Sequence, residues 1–210
     1  MLFINKPSGP TSHDIVNAVR RKTGVKRVGH AGTLDPFASG LLIVLVGREE
    51  TRRQSEFLLM DKTYEAVIRL GATSTTDDRT GVITDKPASP PAIKEIESLL
   101  LSLVGKQDQI PSQFSAKKVH GVPAYKLARK GAAIELSPKG ITIHSIDLLS
   151  YAWPLLSVRL HVSSGTYIRA FARDLGELLS CGGYVLELAR TRIGPYLLAD
   201  AQPLTDNLRV

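Results

Sequence analysis

Residues 29–47 run Gly29-His30-Ala31-Gly32-Thr33-Leu34-Asp35-Pro36-Phe37-Ala38-Ser39-Gly40-Leu41-Leu42-Ile43-Val44-Leu45-Val46-Gly47. From Leu41 to Val46 every residue is apolar, several are branched, and Gly47 ends the run. So short a stretch is a strand, and without polar alternation it must be covered on both faces, which puts it in the middle of a sheet. The twelve residues before it hold three glycines and a proline, so the strand is entered from a rigid loop that other groups can approach closely. Asp35 stands in that loop before a proline, a common way to begin a turn, so a turn residue and a reactive carboxylate are both open readings. A phosphate-cradling loop would need a GKS or GKT ending, which the segment lacks.

Upstream, Thr11 and Asp14 have capping-box spacing ahead of Ile15, Val16 and Val19. They predict a short helix over residues 12–22, with Arg20, Arg21 and Lys22 suiting its C-terminal dipole. Downstream, residues 62–70 alternate: Tyr64, Ala66, Ile68 and Leu70 fall on one face, and Thr63, Glu65, Val67 and Arg69 on the other. This is a half-buried strand. The Thr-, Asp-, Ser- and Pro-rich stretch from Thr73 to Pro91 reads as a loop excursion. Ile93, Ile96, Leu100 and Leu103 make one helical stripe over residues 92–104, with Gly105 as its expected C-cap. Strands follow at about 141–152 and 155–162, then a Ser163-Ser164-Gly165 turn.

Thr166 begins a helix whose Ile168, Phe171, Ala172, Leu175, Leu178 and Leu179 form the buried stripe, with Arg169 and Arg173 off it. Arg169 sits in the first turn, where the helix dipole disfavours a cation, so a carboxylate partner is expected. Strands and helices mix without a βαβ rhythm, which predicts an α+β fold around a mixed, mostly antiparallel sheet flanked by helices.

The chain has 210 residues, 43% of them hydrophobic, enough for one large domain or two small ones. It holds no apolar run long enough to span a bilayer and no signal-peptide pattern at its start, so a cytoplasmic, non-membrane protein is expected. Cys181 is the only cysteine, and the five histidines show no HExxH or zinc-type spacing, so no metal is expected. The net charge of +7 favours a polyanionic partner, nucleic acid before membrane surface. Residues 106–131 interleave bases with Phe114 and Tyr125, a composition suited to phosphate neutralisation and base stacking.

The segment GHAGTLDPFASGLL at residues 29–42 resembles the catalytic motif of the TruB family of tRNA pseudouridine synthases. Asn5-Lys6-Pro7-Ser8-Gly9-Pro10-Thr11-Ser12-His13-Asp14 resembles that family's N-terminal motif. Lys62-Thr63-Tyr64-Glu65 with Leu70-Gly71 resembles its tyrosine strand, and Ser164-Gly165-Thr166-Tyr167-Ile168-Arg169 with Asp174-Leu175-Gly176 its arginine motif. Leu188 to Tyr196 resembles a late motif, departing from it at Ala189, where arginine is frequent.

The resemblance implies a pseudouridine synthase fold with a central RNA-binding cleft, and isomerisation of the T-loop uridine at position 55 of tRNA without cofactor or metal. It makes Asp35 the essential carboxylate and pairs Arg169 with it. Tyr64 and Tyr167 lie against the base, His30 is the wedge inserted into the T-loop, Lys6 lies near the site, and Leu188 packs beneath it. Residues 1–210 are expected to form one catalytic domain without the family's C-terminal PUA domain, working as a monomer on the T-arm of tRNA. Two other functions stay open: a tRNA-folding chaperone indifferent to Asp35, and an RNA-guided synthase acting on ribosomal RNA.

Overall fold

The structure, a computed structural model, describes residues 1–114, 118–119, 122–123, 127 and 136–204. Its strands are β1 Leu2–Lys6, β2 Val28–Ala31, β3 Ser39–Val46, β4 Lys62–Leu70, β5 Ala72–Ser74, β6 Ile83–Asp85, β7 Gly105–Gln109, β8 Lys118–Val119, β9 Val122–Pro123, β10 Lys139–Ala152, β11 Leu155–Val162, β12 Gly183–Ile193, β13 Tyr196–Leu197 and β14 Gln202–Pro203. The helices used below are α1 Ser12–Thr23, α2 Arg48–Arg52, α3 Gln54–Leu58, α4 Ile93–Ser102 and α5 Ile168–Leu178. The fold is α+β, with a mixed sheet flanked by helices.

The chain divides into two compact units, one built from Met1–Glu65, His161–Ser164 and Glu187–Val210, the other from Ala66–Leu160 and Gly165–Leu186. In the first unit β3 is the central strand. It pairs antiparallel with β1 and β2 and parallel with β12, and β1 pairs parallel with β14. Its two faces are both buried, as its unbroken apolar run requires. Leu42 and Val44 face Ile15, Val16 and Val19 of α1, whereas Leu41, Ile43 and Leu45 face Phe57 of α3 and Ile193. Helix α1 begins as predicted: the Thr11 hydroxyl accepts from the Asp14 N–H at 3.1 Å and the Asp14 carboxylate accepts from the Thr11 N–H at 2.8 Å.

The second unit carries most of β4 and β11 and all of β10 and β7, with β7 antiparallel to β10. Alternate residues Ala66, Ile68 and Leu70 of β4 are buried, as are Leu156, Val158 and Leu160 of β11. Three expectations are corrected here. Helix α4 stops at Ser102 with Leu103 as its cap, because Gly105 opens β7 instead. Ile93 on the expected apolar stripe is half exposed, and Ile96 and Leu100 carry the burial. The stretch from Thr73 to Pro91 is not all loop, since β5 and β6 pair within it from Ala72↔Asp85 to Ser74↔Ile83.

Candidate active site

In the first unit the loop that carries Asp35 is fixed by donors aimed at its carbonyls. The Lys6 ammonium donates to Pro7 O and Pro10 O, both at 2.8 Å, and to Pro36 O at 3.2 Å. Gly9 N–H reaches the same Pro36 carbonyl at 2.8 Å, and the Ser8 hydroxyl donates to Phe37 O at 2.8 Å. Ser12 Oγ both accepts from Leu34 N–H at 2.9 Å and donates to Leu34 O at 3.2 Å. Arg190 closes the far side, its Nη2 donating to Gly32 O at 3.1 Å and its Nε to Leu41 O at 2.9 Å. The Ala38 N–H turns back to the Asp35 carbonyl at 3.1 Å. Asp35, half buried, therefore stands in a loop whose backbone is held at several points.

Two buried cations supply part of this hold. Lys6 is wholly buried and Arg190 is 1% exposed, and both spend their N–H groups on backbone carbonyls. Burial pushes the Lys6 ammonium down to about 8, and the Arg190 charge acts in the same sense, while the negative charges of Asp35 and Asp14 oppose the shift. His30 lies in β2, where burial and then the nearby Arg190 and His13 charges lower its pKa, favouring the neutral ring. Its carbonyl accepts from Gln54 Nε2 at 2.7 Å, and its buried Nδ1 has no hydrogen-bond partner among the described residues. Tyr64 lies half buried in β4, and Leu188, 8% exposed, has its carbonyl 3.5 Å from the Ser39 hydroxyl.

In the second unit Tyr167 is the N-cap of α5 and Arg169 stands in its first turn. Arg169 is 5% exposed, against the expectation that it lies off the buried stripe. It is buried against partners on both terminal nitrogens: Nη1 lies 3.5 Å from Asp78 Oδ2 and donates to Thr76 O at 3.0 Å and Ser112 Oγ at 3.3 Å, and Nη2 donates to Phe114 O at 2.9 Å. The first-turn cation thus has a carboxylate partner. Asp78 also accepts from Thr76 Oγ1 at 2.8 Å, Thr80 N–H at 2.9 Å and Thr80 Oγ1 at 2.5 Å. Beside it, Asp77 adopts a left-handed conformation (φ 60°) and pairs with Arg173 at 3.6 Å. Burial raises the Asp77 carboxyl above the ordinary range, opposed by a Ser112 hydrogen bond and by the Arg173 and Arg169 charges.

Five of the sequence-nominated residues, Lys6, His30, Asp35, Tyr64 and Leu188, therefore belong to the first unit, and Tyr167 and Arg169 to the second. Sequence reasoning missed Asp78, Gln109, Ser112 and Arg190. Asp78 stands among the polar residues of the stretch from Thr73 to Pro91, and Arg190 stands inside the late motif, where the sequence gives it no separate role. Tyr125 and the basic residues of 106–131 beyond Phe114 lie outside the residues whose side chains are described.

The class that this fold and loop define is that of the pseudouridine synthases. Residues 20–168 match the model of the TruB family pseudouridylate synthase N-terminal domain, and the chain belongs to that family. It is 45% identical to tRNA pseudouridine synthase B of Protochlamydia amoebophila over 198 residues, covering 94% of this chain and 75% of that one. Identity to tRNA pseudouridine synthase B of Opitutus terrae is 43%, covering 97% of this chain and 85% of the relative. Among solved structures, the archaeal box H/ACA sRNP Nop10–Cbf5 complex contains a chain that superposes with a TM-score of 0.70 at 25% identity. That match covers 96% of this chain but only 51% of the other. His30, Asp35, Tyr64 and Tyr167 all lie within the matched family segment.

No helix among the described residues is long and apolar enough to cross a membrane.

Proposed function

We propose that this chain is a tRNA pseudouridine synthase that isomerises the T-loop uridine at position 55. The observation that supports it most is the Asp35 loop, locked through Pro36, Leu34, Phe37 and Gly32, in a chain of the TruB family. In the reaction the N1–C1′ bond breaks, the uracil turns, and C5 bonds to C1′. The C5 proton is lost and N1 gains one, so there is no net redox change and no electron carrier is needed. An ionised Asp35 serves each of the routes open to it: attack on the sugar, attack on the base, or removal of a sugar proton. A carboxylate whose backbone is already held in place adds less reorganisation to the barrier.

The uridine must leave the RNA stack to reach Asp35, at a cost of a few kcal/mol. We assign His30 to the T-loop as the wedge that offsets this cost. Its lowered pKa suits the role, because a neutral ring enters a base stack with less desolvation than an imidazolium. The family resemblance further assigns Tyr64 and Tyr167 to the flipped base, Leu188 to the position beneath it and Arg169 to the reaction. Lys6 serves through the loop: with its ammonium bound to three carbonyls it holds Asp35 in place rather than contacting RNA.

The test is to incubate the pure protein with a T-arm stem-loop and map pseudouridine chemically, beside Asp35→Asn. Product at the position equivalent to 55 is expected with the wild type and none with the variant, whose RNA affinity stays within a few-fold, since the amide keeps the shape and loses the charge. Turnover by the variant would remove Asp35 from the mechanism. RNA remodelling without product would favour the chaperone.

A further inference from the structure

We propose that Gln109 is a positioning residue for the reaction, setting the direction of the Tyr167 side chain by gripping both main-chain groups of that residue. The proposal rests on the assignment of Tyr167 to the target base. Gln109 is the last residue of β7 and its side chain is 4% exposed. Its Oε1 accepts from Tyr167 N–H at 2.8 Å, and its Nε2 donates to Tyr167 O at 3.0 Å. A primary amide presents one acceptor and one donor side by side, so it imitates the edge of a neighbouring strand. Tyr167 is extended (φ −103°, ψ 108°) and lacks a side-chain cap, while its carbonyl already takes Phe171 N–H at 3.1 Å to start α5. The amide therefore decides how the last extended residue enters the helix, and with it where Cβ and the ring point.

Neighbouring contacts extend the grip. Lys139 is the register partner of Gln109 in β10, and its ammonium covers Gly165, where an added Cβ would collide with it. Just past Gln109, Ile110 O accepts from Arg173 at 2.8 Å and Ser112 from Arg169 at 3.3 Å. The exit of β7 thus holds the segment 165–173 at several points, with Gln109 on the residue whose ring meets the substrate.

Gln109→Leu removes both hydrogen bonds and Gln109→Glu makes them dependent on protonation. A neutral Glu carboxyl donates to Tyr167 O and accepts from Tyr167 N–H as the amide does. An ionised one keeps the acceptor and sets a charge against the carbonyl. Among the described residues, the charged groups facing this segment are Lys139 across the strand pair, Asp108 beside it, Arg169 and Arg173 on α5, and Asp77, which pairs with Arg173. The measurement is kcat and KM on a T-arm stem-loop, with melting temperature recorded at each pH.

The Leu variant should lose roughly tenfold to a hundredfold in kcat with KM within about threefold. Burial raises the introduced carboxyl above the ordinary Glu value, so the ratio of Glu variant to wild type should be highest at the acid end of the range in which the protein stays folded and fall as pH rises, while the Leu ratio stays flat. A flat Glu ratio in folded protein, or a folded Leu variant with wild-type kcat, would overturn the proposal. If the Leu variant does not fold, the Glu series decides. Tyr167→Leu separates the two ideas: full activity there removes Tyr167 from the site, whereas an inactive Tyr167→Leu beside fast Gln109 variants removes only the clamp.

Discussion

Gly40 and Arg190 face each other in parallel register so closely that a Cβ on Gly40 would strike the Arg190 carbonyl oxygen and come within 2.6 Å of its backbone nitrogen. Gly40 also has φ +106°, a conformation that costs any L side chain. The close approach lets β12 lie beside β3 at the point where the Asp35 loop ends, and it brings the Arg190 side chain back onto the Gly32 carbonyl. Gly40→Ala should therefore lose about 3 kcal/mol or more, from strain and collision together. The check is equilibrium unfolding in urea; a loss below about 1 kcal/mol would show that β12 moves aside easily.

The Arg169–Asp78 pair, both partners about 5% exposed, predicts an asymmetry. Removing one partner of a buried pair strands the other charge, at about 3–5 kcal/mol. Asp78→Ala should destabilise by that much, since the Thr76 and Thr80 donors lose their acceptor as well. Arg169→Lys should keep more stability but lose most turnover, because one ammonium cannot span Thr76, Ser112, Phe114 and Asp78 in one plane. Urea unfolding and kcat, measured on both variants, separate the effects; near-normal turnover in Arg169→Lys would show that the planar fork is dispensable.

What could be read from the sequence was local. The apolar run Leu41 to Val46 announced β3, and the Thr11–Asp14 spacing announced the start of α1, because each signal lies within a few residues of its consequence. The same holds for Asp35, whose glycine- and proline-rich surroundings marked its loop. Long-range pairing was hidden. Nothing near Asp78 says that Arg169 will come to it, and nothing near Gln109 says that it will hold Tyr167. β12 went unassigned because Glu187, Arg190 and Arg192 interrupt its apolar residues, and a buried arginine whose partners are carbonyls looks in sequence like a surface one. Lys6 is hidden in the same way, since backbone acceptors leave no trace in side-chain chemistry.

Affinity should be strongly salt-dependent. A net charge of +7 and a structured RNA loop imply that much of the binding energy is release of counterions, with log affinity falling by about 0.7–0.9 per phosphate contact for each tenfold rise in salt. Discrimination comes instead from the folded loop and the flipped base, so added salt should weaken matched and mismatched stem-loops together. Titrations of both RNAs across a salt series test this. A specificity ratio that changes with salt would show that phosphate contacts are themselves read as sequence.

The Lys6 ammonium gives a pH prediction whose sign follows from its burial. In the folded protein its pKa is about 8, against 10.5 for the ordinary side chain that the unfolded chain presents. Between those values the unfolded state holds the proton and the folded state does not, so unfolding takes up a proton and stability rises with pH. Below about pH 8 both states carry the charge, and the folded state bears the full cost of burying it. Lys6→Met removes the titrating group while keeping an unbranched side chain, and other ionisable groups stay nearly common to both proteins. The unfolding free energy of the wild type should therefore climb relative to Lys6→Met from about pH 8 to about 10.5, by up to about 3 kcal/mol, and stay level below pH 8. The fall expected for a surface-paired lysine, whose folded pKa is raised, has the opposite sign. Urea unfolding of both proteins at half-unit pH steps measures the difference. A flat or falling difference across that window would mean that Lys6 keeps its charge in the folded protein at high pH, and that the three carbonyls of Pro7, Pro10 and Pro36 stabilise the ammonium more than burial destabilises it.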